Sequence, residues 1–169
     1  SEQDPLSSLL DLLDIENRLG ISMIFLMPFK ALFRKEVILD NINVLIAARK
    51  YPERIIPFVT VDPWDGEEAV KQLKRFIALG AKGLKLHPLT QGLPAHDELY
   101  HPLIEVAEKE HIIVQFHTGT PVYSQPLQVL ELAQTYTKTK FILAHLGLGM
   151  LWYDAIRAAK RADNIYVDT

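Results

Sequence analysis

Residues 112–117 read IIVQFH, and two further stretches share their form, AKGLKLH at 81–87 and KFILAH at 140–145. Each is a short apolar run that ends on a histidine. Runs of this length, rich in β-branched and aromatic residues and bounded by Gly, Pro or Asp, are those of strands buried on both faces in a parallel sheet. Working outward, ISMIFLM (21–27), IIPFVTV (55–61) and NIYVD (164–168) have the same character. Six strands are predicted.

Helical periodicities fill the intervals. The first helix opens with Asp4-Pro5, a cap followed by proline at the first helical position, sets Leu6, Leu9, Leu10 and Leu13 on one face, and stops at Gly20. Another starts at Asp65 with Glu68 three residues on, in the manner of a capping box. It carries Val70, Leu73, Phe76 and Ile77 on one stripe as far as Gly80. Segments 34–50, 99–110, 125–136 and 150–162 complete the set. Such stripes are what crossover helices need to cover a sheet.

Strict alternation of strand and helix leaves an open doubly wound sheet or a (β/α) barrel. Strand starts recur every 24 to 34 residues, and eight such units approach the ~250 residues of a TIM barrel. The expectation is therefore α/β: residues 1–169 as a single, partial (β/α)8 barrel domain with six of its eight strands, the first and last missing. Two origins fit that expectation. The favoured one is a portion of a longer enzyme; the other is a short protein whose open sheet pairs with a second copy.

Composition narrows the function. The 169 residues are 49% hydrophobic and 23% charged, the balance of a folded globular chain. A net charge of −3 without a basic block leaves no footprint for nucleic acid. The absence of cysteine excludes disulfides and thiolate catalysis, so any metal must be held by His and carboxylates. The longest apolar run, 21–29, contains Pro28 and is about half the ~18 residues of a membrane helix. With no signal-peptide pattern at the acidic N-terminus, a cytoplasmic chain outside the membrane is expected.

Ligands of α/β folds gather at the carboxyl ends of parallel strands. Here His87, His117 and His145 end three consecutive strands, while Asp62 and Asp168 close two others. Because side chains alternate along a strand, Lys85 shares a face with His87, and Gln115 with His117. Leu84, Leu86, Val114 and Phe116 face the other way. Strands ~4.8 Å apart bring neighbouring imidazoles within reach of one ion. His96, His101 and His111 fall in a loop, at a helix start and before a strand, where solvated or capping roles are expected. Gly147-Leu148-Gly149 lacks the third glycine of a dinucleotide fingerprint, Trp152 standing in its place.

The ordered segments RIIPFVTVDP (54–63), GAKGLKLHP (80–88), FHTG (116–119), AHLG (144–147) and IYVDT (165–169) resemble the amidohydrolase-related branch of the amidohydrolase superfamily. Its members are metal-dependent TIM-barrel hydrolases and decarboxylases of the aminocarboxymuconate-semialdehyde type. The resemblance implies His117 as a metal ligand, His145 as a catalytic residue near the metal-bound water or the substrate, and His87 as a substrate-binding residue. The implied cofactor is a divalent metal, Zn²⁺ by expectation. The implied reaction is metal-activated water attacking a C–N or C–O bond of a small molecule. Non-oxidative decarboxylation on the same metal site, or a degenerate barrel acting as a binding or assembly module, are the alternatives, and a homo-oligomer is compatible with each. The family's first-strand His-x-His pair and last-strand Asp have no counterpart among these residues, and Asp168 belongs to an earlier strand than that Asp.

Overall fold

A computed structural model describes residues 5–169, with side chains from Leu9 onward. Six strands, β1 (Ile24–Leu26), β2 (Ile55–Val59), β3 (Gly83–Leu86), β4 (Ile113–His117), β5 (Phe141–Ala144) and β6 (Ile165–Val167), form one sheet in sequence order. All five pairings are parallel. Seven α-helices alternate with them: α1 (Pro5–Arg18), α2 (Val37–Lys50), α3 (Glu67–Ala78), the single turn α4 (Pro88–Gln91), α5 (His101–Lys109), α6 (Pro126–Thr135) and α7 (Trp152–Ala159). Among the described residues no helix is long and apolar enough to cross a membrane.

The sheet curls. Phe25 of β1 lines the same cavity, of about 410 Å³, as Ile113, Ile142, Tyr166 and Asp168 of β4 to β6 and its end. In a flat sheet β1 and β6 would stand some five spacings of ~4.8 Å apart. The result is a partial TIM barrel with a concave inner face, as the strand and helix rhythm predicts.

Register assigns the two faces. Lys85 pairs with Gln115, which pairs with Ile142, while Leu86 pairs with Phe116, which pairs with Leu143. Leu84, Leu86, Val114, Phe116, Phe141 and Leu143 point outward and are fully buried in the main core beneath α3, α5, α6 and α7. The inner face is polar near the strand ends. Lower down it is filled by Phe58, whose ring occupies the space a Cβ on Gly83 would need, 2.3 Å away.

Several helix details depart from expectation. In α1, Leu9 and Leu13 are buried but Leu10 is 51% exposed, so the stripe is narrower than its leucines suggest; Asp4 and the Leu6 side chain lie outside the described residues. The capping box at Asp65 does not form. Gly66, at φ 54°, is the N-cap of α3, and Asp65 lies in a 3₁₀ turn whose own cap is Asp62. On α3 the stripe holds, with Leu73 and Phe76 in the core and Val70 and Ile77 packed beside it. Asn41 joins α2 to the sheet: its amide donates to the Thr60 and Val37 carbonyls and accepts from the Thr60 N–H, at 2.7–2.8 Å.

Candidate active site

The three strand-end histidines meet. His117 is the last residue of β4, His87 directly follows β3, and His145 directly follows β5. The His87 and His117 rings stack with centroids 4.0 Å apart and planes 10° from parallel. The His145 ring lies edge-on to His117, with centroids 5.1 Å apart.

Each ring is held differently. His87 caps α4, its Nδ1 accepting from the Thr90 N–H at 3.4 Å, which puts the ring proton on Nε2. Its backbone N–H donates to Gln91 Oε1 at 3.0 Å. The same oxygen accepts from the Tyr100 hydroxyl at 2.9 Å, while the Gln91 amide donates to the Val61 carbonyl. The buried Gln91 thus ties the ends of β2 and β3 to the helical layer. His117 Nε2 lies 2.9 Å from the Thr120 hydroxyl.

His145 begins an unusual turn. Residues 145–149 all have positive φ, between 43° and 71°, although only Gly147 and Gly149 are glycines. Left-handed geometry costs an L-residue about 1–2 kcal/mol, so this turn needs external support. Asp168 supplies it, one carboxylate oxygen accepting from the His145 N–H at 2.6 Å and the other from the Gln115 side-chain amide at 2.7 Å. The FHTG loop packs against the same turn, since a Cβ on Gly119 would lie 2.4 Å from the Gly147 carbonyl carbon.

Burial sets the charge state. His117 is pushed down to about 3 by burial, then by His87, Lys85 and His145. His87 falls to about 4 through burial and the neighbouring Lys85 charge. His145 is lowered as well, by burial and Lys85, with Asp168 opposing. All three are neutral near pH 7, carrying lone pairs that can bind an ion or accept a proton. Lys85, buried on the inner face, is lowered to about 8 by burial, against the raising effect of Asp168.

The remaining candidates separate from this group. Asp62 is buried in an ion pair with Arg34 and accepts from the Trp64 N–H at 3.1 Å, a capping role. The backbone of His101 caps the preceding 3₁₀ turn, while its ring Nδ1 lies 2.7 Å from the Tyr136 hydroxyl and joins α5 to the end of α6. His96 lies 3.6 Å from Glu131, and His111 is an exposed residue at φ 55°. Residues without a sequence signal are Thr90 and Thr120, which touch the His87 and His117 rings, and Gln91, which holds the His87 backbone; Asp168 was visible as a strand end, but not as the support of the turn.

As a metal site the described residues are incomplete. Neutral imidazoles are suitable donors, and His117 sits between the other two rings. Yet no group of three His, Cys, Asp or Glu among the described residues is arranged to hold an ion, and His117 Nε2 is engaged by Thr120. These residues fit a contribution to a metal centre and not a whole one.

A parallel half-barrel with ionisable side chains gathered at its carboxyl mouth is the arrangement in which TIM-barrel folds place their ligands. The amidohydrolase family model (Amidohydro_2) matches residues 29–169, and the chain belongs to that family. A comparison with curated proteins finds no significant match. Among solved structures the chain is similar to the uncharacterized TIM-barrel protein Bb4693 from Bordetella bronchiseptica (TM-score 0.75, 18% identity, 92% of this chain and 57% of that one). It is also similar to 4-oxalomesaconate hydratase LigJ from Rhodopseudomonas palustris (0.73, 17%, 100% and 61%). A third is the 5-carboxyvanillate decarboxylase LigW2 from Novosphingobium aromaticivorans, with bound manganese (0.69, 19%, 94% and 58%). At these identities the likeness is one of fold, and the chain spans about three fifths of the length of these structures.

Proposed function

We propose that this chain carries much of the catalytic mouth of a metal-dependent hydrolase that cleaves a C–N or C–O bond of a small molecule. The observation that carries the reading is the convergence of three neutral imidazoles, from three consecutive strands, at one end of the curled sheet. In this reading His117 holds a divalent ion together with ligands outside the described group. Zn²⁺ is our choice because the donor set offers nitrogen and oxygen without thiolate. When bound, such an ion supplies Lewis acidity and lowers the pKa of water toward ~7.

The chain's own residues do the rest. His145, neutral and held by its backbone to Asp168, accepts a proton at its free ring nitrogen and returns it to the leaving group. His87, with its proton on Nε2, donates a hydrogen bond to a substrate oxygen. Burial keeps the imidazoles unprotonated, and the positive field of Lys85 adds to that effect. Decarboxylation is the second reading, supported by the similarity to a decarboxylase of the same fold.

Metal analysis and turnover test this together. Protein purified without chelator is expected to hold stoichiometric divalent metal, and His117→Ala to lose both metal and turnover across a panel of amides, esters and carboxylates. His145→Ala is expected to keep most of the metal and lose turnover. A metal-free protein whose activity ignores His117→Ala would overturn the proposal and favour a non-catalytic binding module; CO₂ release from the carboxylates alone would select decarboxylation.

A further inference from the structure

The amino ends of the strands carry a groove that the histidine mouth does not use. It runs between α2 and the end of α3, down to the start of β2. Two adjoining cavities, of about 400 and 180 Å³, share Leu45, Arg49 and Leu79 in their walls. Ile42 and Ile46 of α2 line the smaller one; Ile55, Ile56 and Pro57 of β2 line the larger. His87, His117 and His145 stand at the opposite ends of the strands, so the groove lies outside the candidate active site.

One wall of the groove is more apolar than a solvent-facing helix requires. α2 buries Val44, Leu45, Ala47 and Ala48, yet Ile38, Ile42 and Ile46 recur every fourth residue and so share a second flank. Ile38 and Ile46 are 52% and 55% exposed, and Leu79, the C-cap of α3, is 49% exposed. Single exposed apolar residues are ordinary, but a contiguous set beside a cavity marks a binding surface.

The charges of the groove have one sign. Arg49 and Lys82 are the charged residues of its described walls, and neither side chain makes a hydrogen bond or ion pair with a described residue. Lys82 is fixed at the rim, its N–H donating to the Pro57 carbonyl at 2.9 Å and its carbonyl accepting from the Ile113 N–H at 3.2 Å. Between Leu79 and Lys82 the rim is open, since a Cβ on Gly80 would meet nothing within 4 Å. A helix, ~10–12 Å across with its side chains, does not enter cavities of this size. An alkyl chain does.

We propose that this groove binds a single-chain anionic amphiphile, a long-chain carboxylate taken up as a monomer, with its chain along Ile42, Ile46 and Leu79 and its head on Arg49 and Lys82. The chain gains from every methylene removed from water, and the head from charge-assisted hydrogen bonds. This site is independent of the chemistry proposed for the mouth.

Calorimetry below the micellar concentration tests it with dodecanoate, octanoate and dodecyltrimethylammonium, the last carrying the same chain under a cationic head. One dodecanoate per chain is expected, bound about tenfold or more tighter than octanoate and than the cationic amphiphile. Arg49→Gln combined with Lys82→Gln is expected to remove the preference for the anionic head. Ile46→Asn, at an exposed position, is expected to weaken dodecanoate about fivefold or more. Equal binding of the two head groups, a preference that survives the double variant, or binding that is non-stoichiometric or indifferent to Ile46→Asn would each overturn the inference. So would Ile46-dependent dimerisation in sedimentation without dodecanoate binding, which gives the groove to a second copy, or Ile46-dependent capture by phosphatidylglycerol vesicles alone, which gives it to a membrane surface. His117→Ala is expected to leave dodecanoate binding unchanged, so this inference and the catalytic reading fail separately.

Discussion

At the scale of single residues, Lys85 and Asp168 carry opposite consequences. Burial that lowers Lys85 from 10.5 to about 8 means the unfolded chain holds its proton more tightly. The penalty is complete below pH 8, shrinks from there toward 10.5, and vanishes above. Lys85→Met is therefore expected to stabilise the fold at pH 7 by up to about 3 kcal/mol, a gain that fades across that alkaline window in urea titrations. A destabilised Lys85→Met would show that the ammonium is paired. Asp168 acts the other way. Asp168→Ala frees the His145 N–H and the Gln115 amide, and kcat is expected to drop about 10–100-fold with a smaller change in KM, because the imidazole loses its placement. Unchanged kcat would make the turn self-supporting. His87, His117 and His145 were legible in the sequence because each ends an apolar strand. Asp168 was visible as a strand end, but its grip on a backbone N–H twenty-three residues earlier depends on strand adjacency, which one sequence does not encode.

Elements were legible where periodicity is long and obscured where a backbone conformation decides. All six strands appear where their runs lie, shortened by a residue or more at most ends, and each predicted helix forms. The α3 cap was misread because Asp65 and Glu68 have the right spacing, yet Asp62-Pro63 begins a 3₁₀ turn that consumes Asp65 and passes the cap to Gly66. The glycines after His117 and His145 let the two loops approach each other closely. Gly119→Ala forces a Cβ into the Gly147 backbone at φ 105°, and is expected to destabilise by about 2 kcal/mol or more. A shift in the urea midpoint measures it; a neutral variant would mean the 145–149 turn yields easily and does not position His145.

For the whole molecule, the order and direction of the strands follow from alternation alone, and the curl brings Phe25 of β1 to the same cavity as Tyr166 of β6. What alternation does not supply is the width of a buried stripe, hence the exposed Leu10, or the identity of groups that close the metal sphere. The clustered imidazoles make stability depend on acidity. Folded His87 and His117 refuse protons until about pH 4 and 3, whereas unfolded histidines accept them below about 6.5. Stability is thus full above that value and declines as pH falls through the window beneath it. The urea midpoint is expected to be lower at pH 5 than at pH 7, and His117→Ala to reduce that difference; a midpoint indifferent to pH would place the rings in water. The chemistry attributed to the mouth turns on where an ion sits. Anomalous diffraction at the absorption edge of the metal retained by chelator-free protein is predicted to give one peak about 2.0–2.2 Å from a ring nitrogen of His117; a peak away from His117, or none, would contradict the account.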